Sequence, residues 1–469
     1  MRPAAGGGNR AGGQAARPGA DPQGPRPGGP GAELRGHRGL HPSAELRPRQ
    51  GVSGHRLLLH GQPFSGDGES GTGGKRFEHR QPERAAFGAG IAGPGKTQEH
   101  RQGEEVIVRP ECLHFRGHVP CAPHKDLGVH CADCPEFRER AGRILLIKLG
   151  AAGDVIRTTP LLEPLRRQYP DHAITWVTDF PELVPQEVGD ILGVTPANLL
   201  WLRRTRFDLV INLDKDREAC ALAAEVQTRR RIGFTLGQDG LCRPVTEGVT
   251  PEMAAAAREK FLTGLFDDVN QACTLSYPQE IFAICGYRFE GQEYVVDRPA
   301  RVPAFGLAKD RPVIGLNTGA GGRWTSRLWP EAHWQELAEA LRDQGYEVVL
   351  LGGPAEDERN QRLAHQAQVK YLGHFDLPTF VGLMDQCDVI VTAVTMAMHL
   401  ALGLGKKLVL FNNIFNPHEF ELYGRGVLLQ PEQKCGCFFA PRCRQENFCM
   451  ETLRPKAALQ AVQELLGRP

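Results

Sequence analysis

The chain has no run of 18 or more apolar residues, so nothing in it reads as a membrane-spanning helix. Its N-terminus lacks the apolar stretch of a secretory signal, the greasiest early piece being Leu57-Leu58-Leu59. An excess of one charge is missing too: 56 Lys and Arg stand against 55 Asp and Glu, which argues against bulk binding of nucleic acid or another polyanion. Cysteine is absent before Cys112, and the 13 present make an odd number in a chain without an export signal. That favours reduced thiols or metal ligands over a disulfide framework, and a cytoplasmic location is expected.

Methionine is absent between Met1 and Met253. The first 105 residues are rich in Gly, Pro, Arg, Gln and His, with 24 Gly and 11 Pro in the first hundred and no sustained period of 2 or 3.6. A disordered arm is expected there: a nucleic-acid-binding RGG-like arm, a linker, or the product of a start assigned too early. The remaining length has room for two or three domains, and 41% hydrophobic with 24% charged residues is ordinary for a globular protein.

From Arg143 the texture changes. Ile144 to Ile147 is a short apolar run; a glycine turn and a helical pattern through Tyr169 follow, then a second strand from Ala173 to Thr178. Pro164 should kink that helix. Asp208 to Leu213 reads as a strand, Arg217 to Thr228 as a helix, and Arg231 to Phe234 as the next strand. A second half opens with the strand Val313 to Asn317, a Gly-rich turn, and a helix from Pro330 to about Gln344 with proline at its first position. Strands 347–351, 388–392 and 407–411 follow, separated by helical stretches. Short apolar strands alternating with helices imply parallel sheets. The expected architecture is α/β, with two Rossmann-like domains, 143–299 and 312–469, facing across a ligand cleft.

Three corners carry chemistry. Asp154 follows Gly150 and Gly153 where a strand hands over to a helix, so it is either a catalytic base or a helix N-cap, and the roles are compatible. Asn317-Thr318-Gly319 opens a Gly-rich turn ahead of Arg323 and Arg327, placing bare amides and guanidinium groups near a helix start, which suits a phosphate. Glu356, after Gly352-Gly353, stands where a carboxylate can meet ribose hydroxyls or simply favour a helix start. Thr395-Met396 runs from a strand into a helix bearing His399, a residue that is as readily packed or capping as functional.

Taken together, KLGAAGDV (148–155) followed by Thr158-Thr159-Pro160, RLWPEAHW (327–334), LLGGPAEDE (350–358) and HLALGLGKK (399–407) resemble glycosyltransferase family 9. These are heptosyltransferase-like proteins of the inverting GT-B class, and the resemblance covers residues 143 to about 465. It implies a sugar-nucleotide donor, usually ADP-heptose, on the second half and a glycolipid or saccharide acceptor on the first. Asp154 matches the family's general base, with Lys148 and Gly153 beside it on the acceptor side. Arg327 matches the residue meeting donor phosphates, Glu356 the acid near the ribose, and Thr395 and His399 fall in the Asp-Thr-Gly-x-x-His donor loop. Here the loop departs from the pattern: Val394 replaces the Asp and Met396 the Gly, which puts the transferred sugar in doubt. The implied protein builds lipopolysaccharide or another surface glycan at the inner face of the membrane, in peripheral contact with it. A sugar-nucleotide epimerase and a non-catalytic nucleotide-sugar-binding protein are the alternatives.

No cofactor is expected in the chemistry, but structural zinc is a candidate. Cys112, Cys121, Cys131 and Cys134, with four histidines interspersed, suggest a small metal-stapled module at 106–140, holding zinc or an iron–sulfur cluster, with free thiols as the alternative. Cys435, Cys437, Cys443 and Cys449 form a second group of irregular spacing.

Overall fold

The computed structural model describes residues 106–433 and 435–467, so the arm expected over 1–105 lies outside the described residues. Ahead of the first sheet, residues 106–140 contain one short helix, α1 (Ala122–Leu127), and a bridge from Cys112 to Glu139. Ion pairs from Arg116 to Asp190 and from Arg138 to Asp171 hold this segment to the sheet that follows.

The first half comprises β1 (Gly142–Ile147), α2 (Ala152–Ile156), α3 (Leu162–Gln168), β2 (His172–Val177), β3 (Asp190–Leu192), α4 (Pro196–Arg204), β4 (Arg206–Asn212), α5 (Arg217–Glu225), β5 (Gln227–Leu236), β6 (Cys242–Pro244), α6 (Pro251–Thr263), α7 (Asp267–Ala272) and α8 (Tyr277–Cys285). The second comprises β7 (Val313–Asn317), α9 (Glu331–Asp343), β8 (Glu347–Leu351), α10 (Asp357–Ala367), β9 (Lys370–Tyr371), α11 (Leu377–Asp385), β10 (Val389–Ala393), α12 (Met396–Gly403), β11 (Lys407–Phe411), β12 (Gly426–Leu429) and α13 (Pro455–Gly467).

The strand orders are β3-β2-β1-β4-β5-β6 and β12-β11-β10-β7-β8-β9. Counted from its own first strand, each half therefore has the doubly wound order 3-2-1-4-5-6, parallel throughout except for the β5–β6 edge. In such a sheet ligands collect where the winding reverses, beyond the carboxyl ends of the first and fourth strands. The residues at those two crevices follow β1 and β4 in one half, and β7 and β10 in the other.

Continuous apolar runs become strands buried on both faces: every residue of β7, β8 and β10 is buried. Helix α9 buries Trp334, Leu337, Ala338 and Leu341, the spacing of one helical stripe. At its start Trp329 packs edge-to-face on Trp334 and at a tilt on Phe411, both at 4.8 Å between centroids, and its indole N–H donates to Leu453 O at 2.8 Å. Pro330 precedes the helix as its N-cap and is not its first residue.

Two expected helices change shape. The helix after the glycine turn breaks at Arg157, and Pro164, in the first turn of α3, lacks an N–H that would have no intrahelical partner there. Helix α5 stops at Glu225 and not at Thr228, because the chain from Gln227 pairs along β4. Ladder pairing overrides the helical tendency of those residues.

Between the halves, residues 292–298 are sewn to both sides. Val295 N donates to Thr159 Oγ1 at 2.8 Å and Gln186 N to Asp297 at 2.7 Å, both in the first half. Toward the second half, Tyr423 donates to Gln292 O, Arg425 pairs with Glu293 and Arg298 pairs with Asp385.

Candidate active site

Asp154 is the third residue of α2. Its carboxylate reaches back to the Ala151 N–H at 3.3 Å, so it closes the helix start without being the N-cap. Two cations flank it: Arg157 at 2.7 Å on Oδ1 and Lys148 at 3.7 Å on Oδ2. Arg157 in turn lies over the Tyr277 ring, 3.8 Å from its centroid. Burial works against the charged carboxylate, but Arg157, Lys148 and the Ala151 amide overcome it and hold Asp154 well below the usual carboxylate range. About a third of the side chain, 32%, stays open, so the ionised group remains reachable.

Lys148 is buried and bonded to Asp214, which also accepts from Leu149 N at 2.5 Å. Burial works against the charge of this lysine; Asp154, Tyr277 and Asp214 outweigh it and push its pKa up. Gly153 is glycine for a steric reason: a Cβ there would stand 2.4 Å from His399 Cδ2 of the second half. Burial, reinforced by Arg157, lowers the His399 pKa to about 3, and its Nδ1 has no hydrogen-bond partner. It is a neutral imidazole packed at the junction, with the Tyr294 ring 5.8 Å away.

On the second half, Asn317 at the end of β7 donates to Thr392 Oγ1 at 2.9 Å and to Thr395 Oγ1 at 3.4 Å, tying the two central strands together across their crevice. Thr395 caps α12 by accepting from Ala397 N. Above this corner opens a cavity of about 310 Å³, lined among others by Asn317, Gly319, Arg327, Glu356, Thr395 and Met396. Six of the eight residues assigned to donor binding thus share one space. The other two do not line it: Thr318 is buried in a bond to Asn360 at 2.6 Å, and His399 faces the Asp154 turn.

Arg327 donates to Ala320 O at 2.8 Å, with the rings of Trp324 and Phe415 both within about 6 Å of its guanidinium. Burial pulls its pKa down to about 10, which leaves it charged at neutral pH. Glu356 accepts from Gly353 N at 3.0 Å, and a Cβ at Gly319 would meet its carboxyl group at 2.6 Å. Glycine at 319 therefore lets the acid lie against the turn.

Sequence reasoning missed Arg157, Tyr277 and Asp214. Asp214-Lys215-Asp216 has the Asp-x-Asp spacing and follows a strand at the sheet edge, a signal that could have been read; its first carboxylate engages Lys148.

The four C-terminal cysteines are brought together. Cys437 and Cys443 sulfurs are 3.8 Å apart, Cys437 N donates to Cys435 Sγ and Arg444 N to Cys437 Sγ, and Asn413 Nδ2 lies 3.3 Å from Cys449 Sγ. Their loop braces the donor turn, since Ser326 bonds to Ala440 O and Pro441 O. In the N-terminal group, Cys112 is buried while Cys121, Cys131 and Cys134 are half-buried. Among the described residues no three or more His, Cys, Asp or Glu already stand where they could hold a metal ion.

Residues 200–434 match the model of glycosyltransferase family 9 (heptosyltransferase). The chain is 38% identical over 293 residues to lipopolysaccharide heptosyltransferase 2 of Salmonella typhimurium, spanning 57% of this chain and 81% of that protein. It is 25% identical over 374 residues to lipopolysaccharide heptosyltransferase 1 of Pseudomonas aeruginosa, spanning 70% of this chain and 99% of that one. A solved family 9 glycosyltransferase from Veillonella parvula shares the fold, with a TM-score of 0.52 at 19% identity over 70% of this chain and 97% of that one.

Proposed function

We propose, from the premise that this chain belongs to glycosyltransferase family 9, that it transfers a heptose from ADP-heptose to a lipopolysaccharide or related surface-glycan acceptor with inversion at the anomeric carbon. The observation that carries the reading is the pairing of crevices. An ionised carboxylate, Asp154, follows the first strand of one half, and a phosphate-suited cavity follows the first and fourth strands of the other. The two corners meet where His399 packs on Gly153.

In this mechanism the acceptor hydroxyl attacks the anomeric carbon while the bond from that carbon to the diphosphate breaks and its electron pair leaves with the nucleotide. A carboxylate stabilised by two cations is a weak base, so Asp154 takes the hydroxyl proton late, as the new bond forms and the hydroxyl becomes acidic. Arg327 and the amides around Gly319 and Thr395 face the charge developing on the diphosphate, and Glu356 faces the ribose. This chemistry needs no metal. With Val394 buried and Met396 lining the cavity, the sugar end of the donor meets an apolar wall where the family pattern has a carboxylate and a glycine.

No helix among the described residues is long and apolar enough to cross a membrane. The reading places the protein in the cytoplasm, in peripheral contact with the inner membrane. Of the arginines that could serve this contact, Arg166, Arg167 and Arg203 are each paired with a glutamate, which leaves Arg204 and Arg206 as the better candidates. Structural zinc is not assigned at the cysteines, since no three such ligands converge among the described residues.

Nucleotide release measured across ADP-, GDP- and UDP-sugars with cell-derived glycolipid tests the reading. ADP-heptose should turn over only with acceptor, and Asp154→Asn should abolish turnover. An epimerised sugar nucleotide formed without acceptor, or full activity in Asp154→Asn, refutes it.

A further inference from the structure

Lys148 sits one residue past β1 and Asp214 two residues past β4, on the two sides of the first half's crevice. An ammonium has three donors, and here each has a direction: to Asp214 Oδ1, to Gly150 O at 2.5 Å, and toward Asp154 Oδ2 at 3.7 Å. Asp214 is as fully committed. Its Oδ1 takes Lys148 and its Oδ2 takes the Leu149 amide. Its backbone is clamped, with Asp214 N donating to Asn212 Oδ1 at 3.0 Å and Asp214 O accepting from Asn212 Nδ2 at 3.1 Å. Asn212 is itself wholly buried and anchored to Phe234 O on the neighbouring strand. Rigid sheet, fixed carboxylate, fixed ammonium and base carboxylate form one chain of contacts.

Asp154 and Asp214 face Lys148 and Arg157, Glu419 also acts on Arg157, and Tyr277 and His399 are the neutral walls. Without Asp214, the buried Lys148 would have Asp154 as its one carboxylate and would close on it, capturing the oxygen meant for the acceptor hydroxyl.

We propose that Asp214 is a positioning residue of the transferase, holding Lys148 at a distance from Asp154 that keeps the Asp154 carboxylate aimed at the acceptor. The inference rests on the proposed role of Asp154 as base. It explains why a second, buried carboxylate stands at this crevice when the reaction itself uses only Asp154.

Asp214→Asn is the test, because the amide oxygen still fits the Leu149 N–H while the amide nitrogen turns a donor toward Lys148. With ADP-heptose and rough-type lipopolysaccharide, kcat should fall about 10- to 100-fold while the donor KM holds. Lys148→Met should also lower kcat, and the double variant Lys148→Met/Asp214→Asn should match Lys148→Met alone, since Asp214 acts through the lysine. A kcat near wild type in Asp214→Asn, or losses that multiply in the double variant, overturns the inference. Should Asp214→Asn fail to fold, the charge-balanced pair Lys148→Gln/Asp214→Asn against Lys148→Gln alone decides by the same comparison: equal kcat supports the relay and a further loss sinks it. Asp154→Asn run alongside separates two failures. Activity surviving there removes the base, whereas an inactive Asp154→Asn beside an unaffected Asp214→Asn removes only the role of Asp214.

Discussion

Adding one methyl group at Gly153 tests whether the two halves work in the contact the structure shows. The new Cβ would stand 2.4 Å from His399 Cδ2 and 2.9 Å from its Nε2. Carbon atoms rest comfortably at about 3.5 Å or more, so ring and turn must part by about 1 Å. The ring has little room to yield, being 5% exposed and packed toward Tyr294. Overpacking of this kind costs about 1–3 kcal/mol, and a shift of about 1 Å between reacting groups costs about 100-fold in rate. Gly153→Ala should therefore melt a few degrees lower and lose about two orders of magnitude in kcat for ADP release. Removing the ring in the same chain, Gly153→Ala/His399→Ala, should recover the melting temperature by giving the methyl group space. If Gly153→Ala keeps both wild-type kcat and wild-type melting temperature, the base turn and α12 do not meet this way during turnover, and the closed arrangement described above is not the working one.

His399 titrates at about 3 in the fold against 6.5 when unperturbed, so below pH 6.5 the unfolded chain binds a proton that the folded one refuses. Stability should fall as pH drops from 6.5 toward 3, by up to about 1.4 kcal/mol per unit, and His399→Phe should flatten that part of a melting-temperature profile; a slope unchanged by the substitution refutes the burial argument. Arg327→Lys keeps the charge but loses the planar fork, and should raise the donor KM about tenfold or more with the melting temperature held; an unchanged KM takes Arg327 off the phosphate. Cys437→Ser should raise the donor KM as the loop that bonds Ser326 loosens. A donor KM unchanged in Cys437→Ser refutes that bracing.

Much of the frame was legible because local signals and tertiary needs coincide. The apolar runs at 144–147 and 313–317 could only be buried strands, and the glycine corners after them necessarily fell at a sheet edge. Asp154 was visible there for that reason. What the residues did not display is what holds it. Lys148 and Asp214 are 66 positions apart, and Thr158 and Tyr277 are 119 apart, so these contacts exist only once β1, β4 and α8 are assembled. Arg157 reads in the chain as an ordinary helix-surface residue; the break after Ile156 turns it onto Tyr277. The end of α5 was misjudged for a related reason, since nothing local at Gln227 announces a partner strand. The C-terminal cysteines looked irregular because spacing along a loop carries little information about distance across it.

The segment 292–298 alternates its bonds, Val295 and Asp297 fastening to one half, Gln292, Glu293 and Arg298 to the other. Such stitching makes it an axle more than a tether. A straight separation of the halves would tear one set of bonds outright, whereas a rotation about the stitched line leaves both in place. The corner where His399 of α12 packs on Gly153 lies off that line, so rotation about it parts the two crevices while the stitched segment stays bonded on both sides.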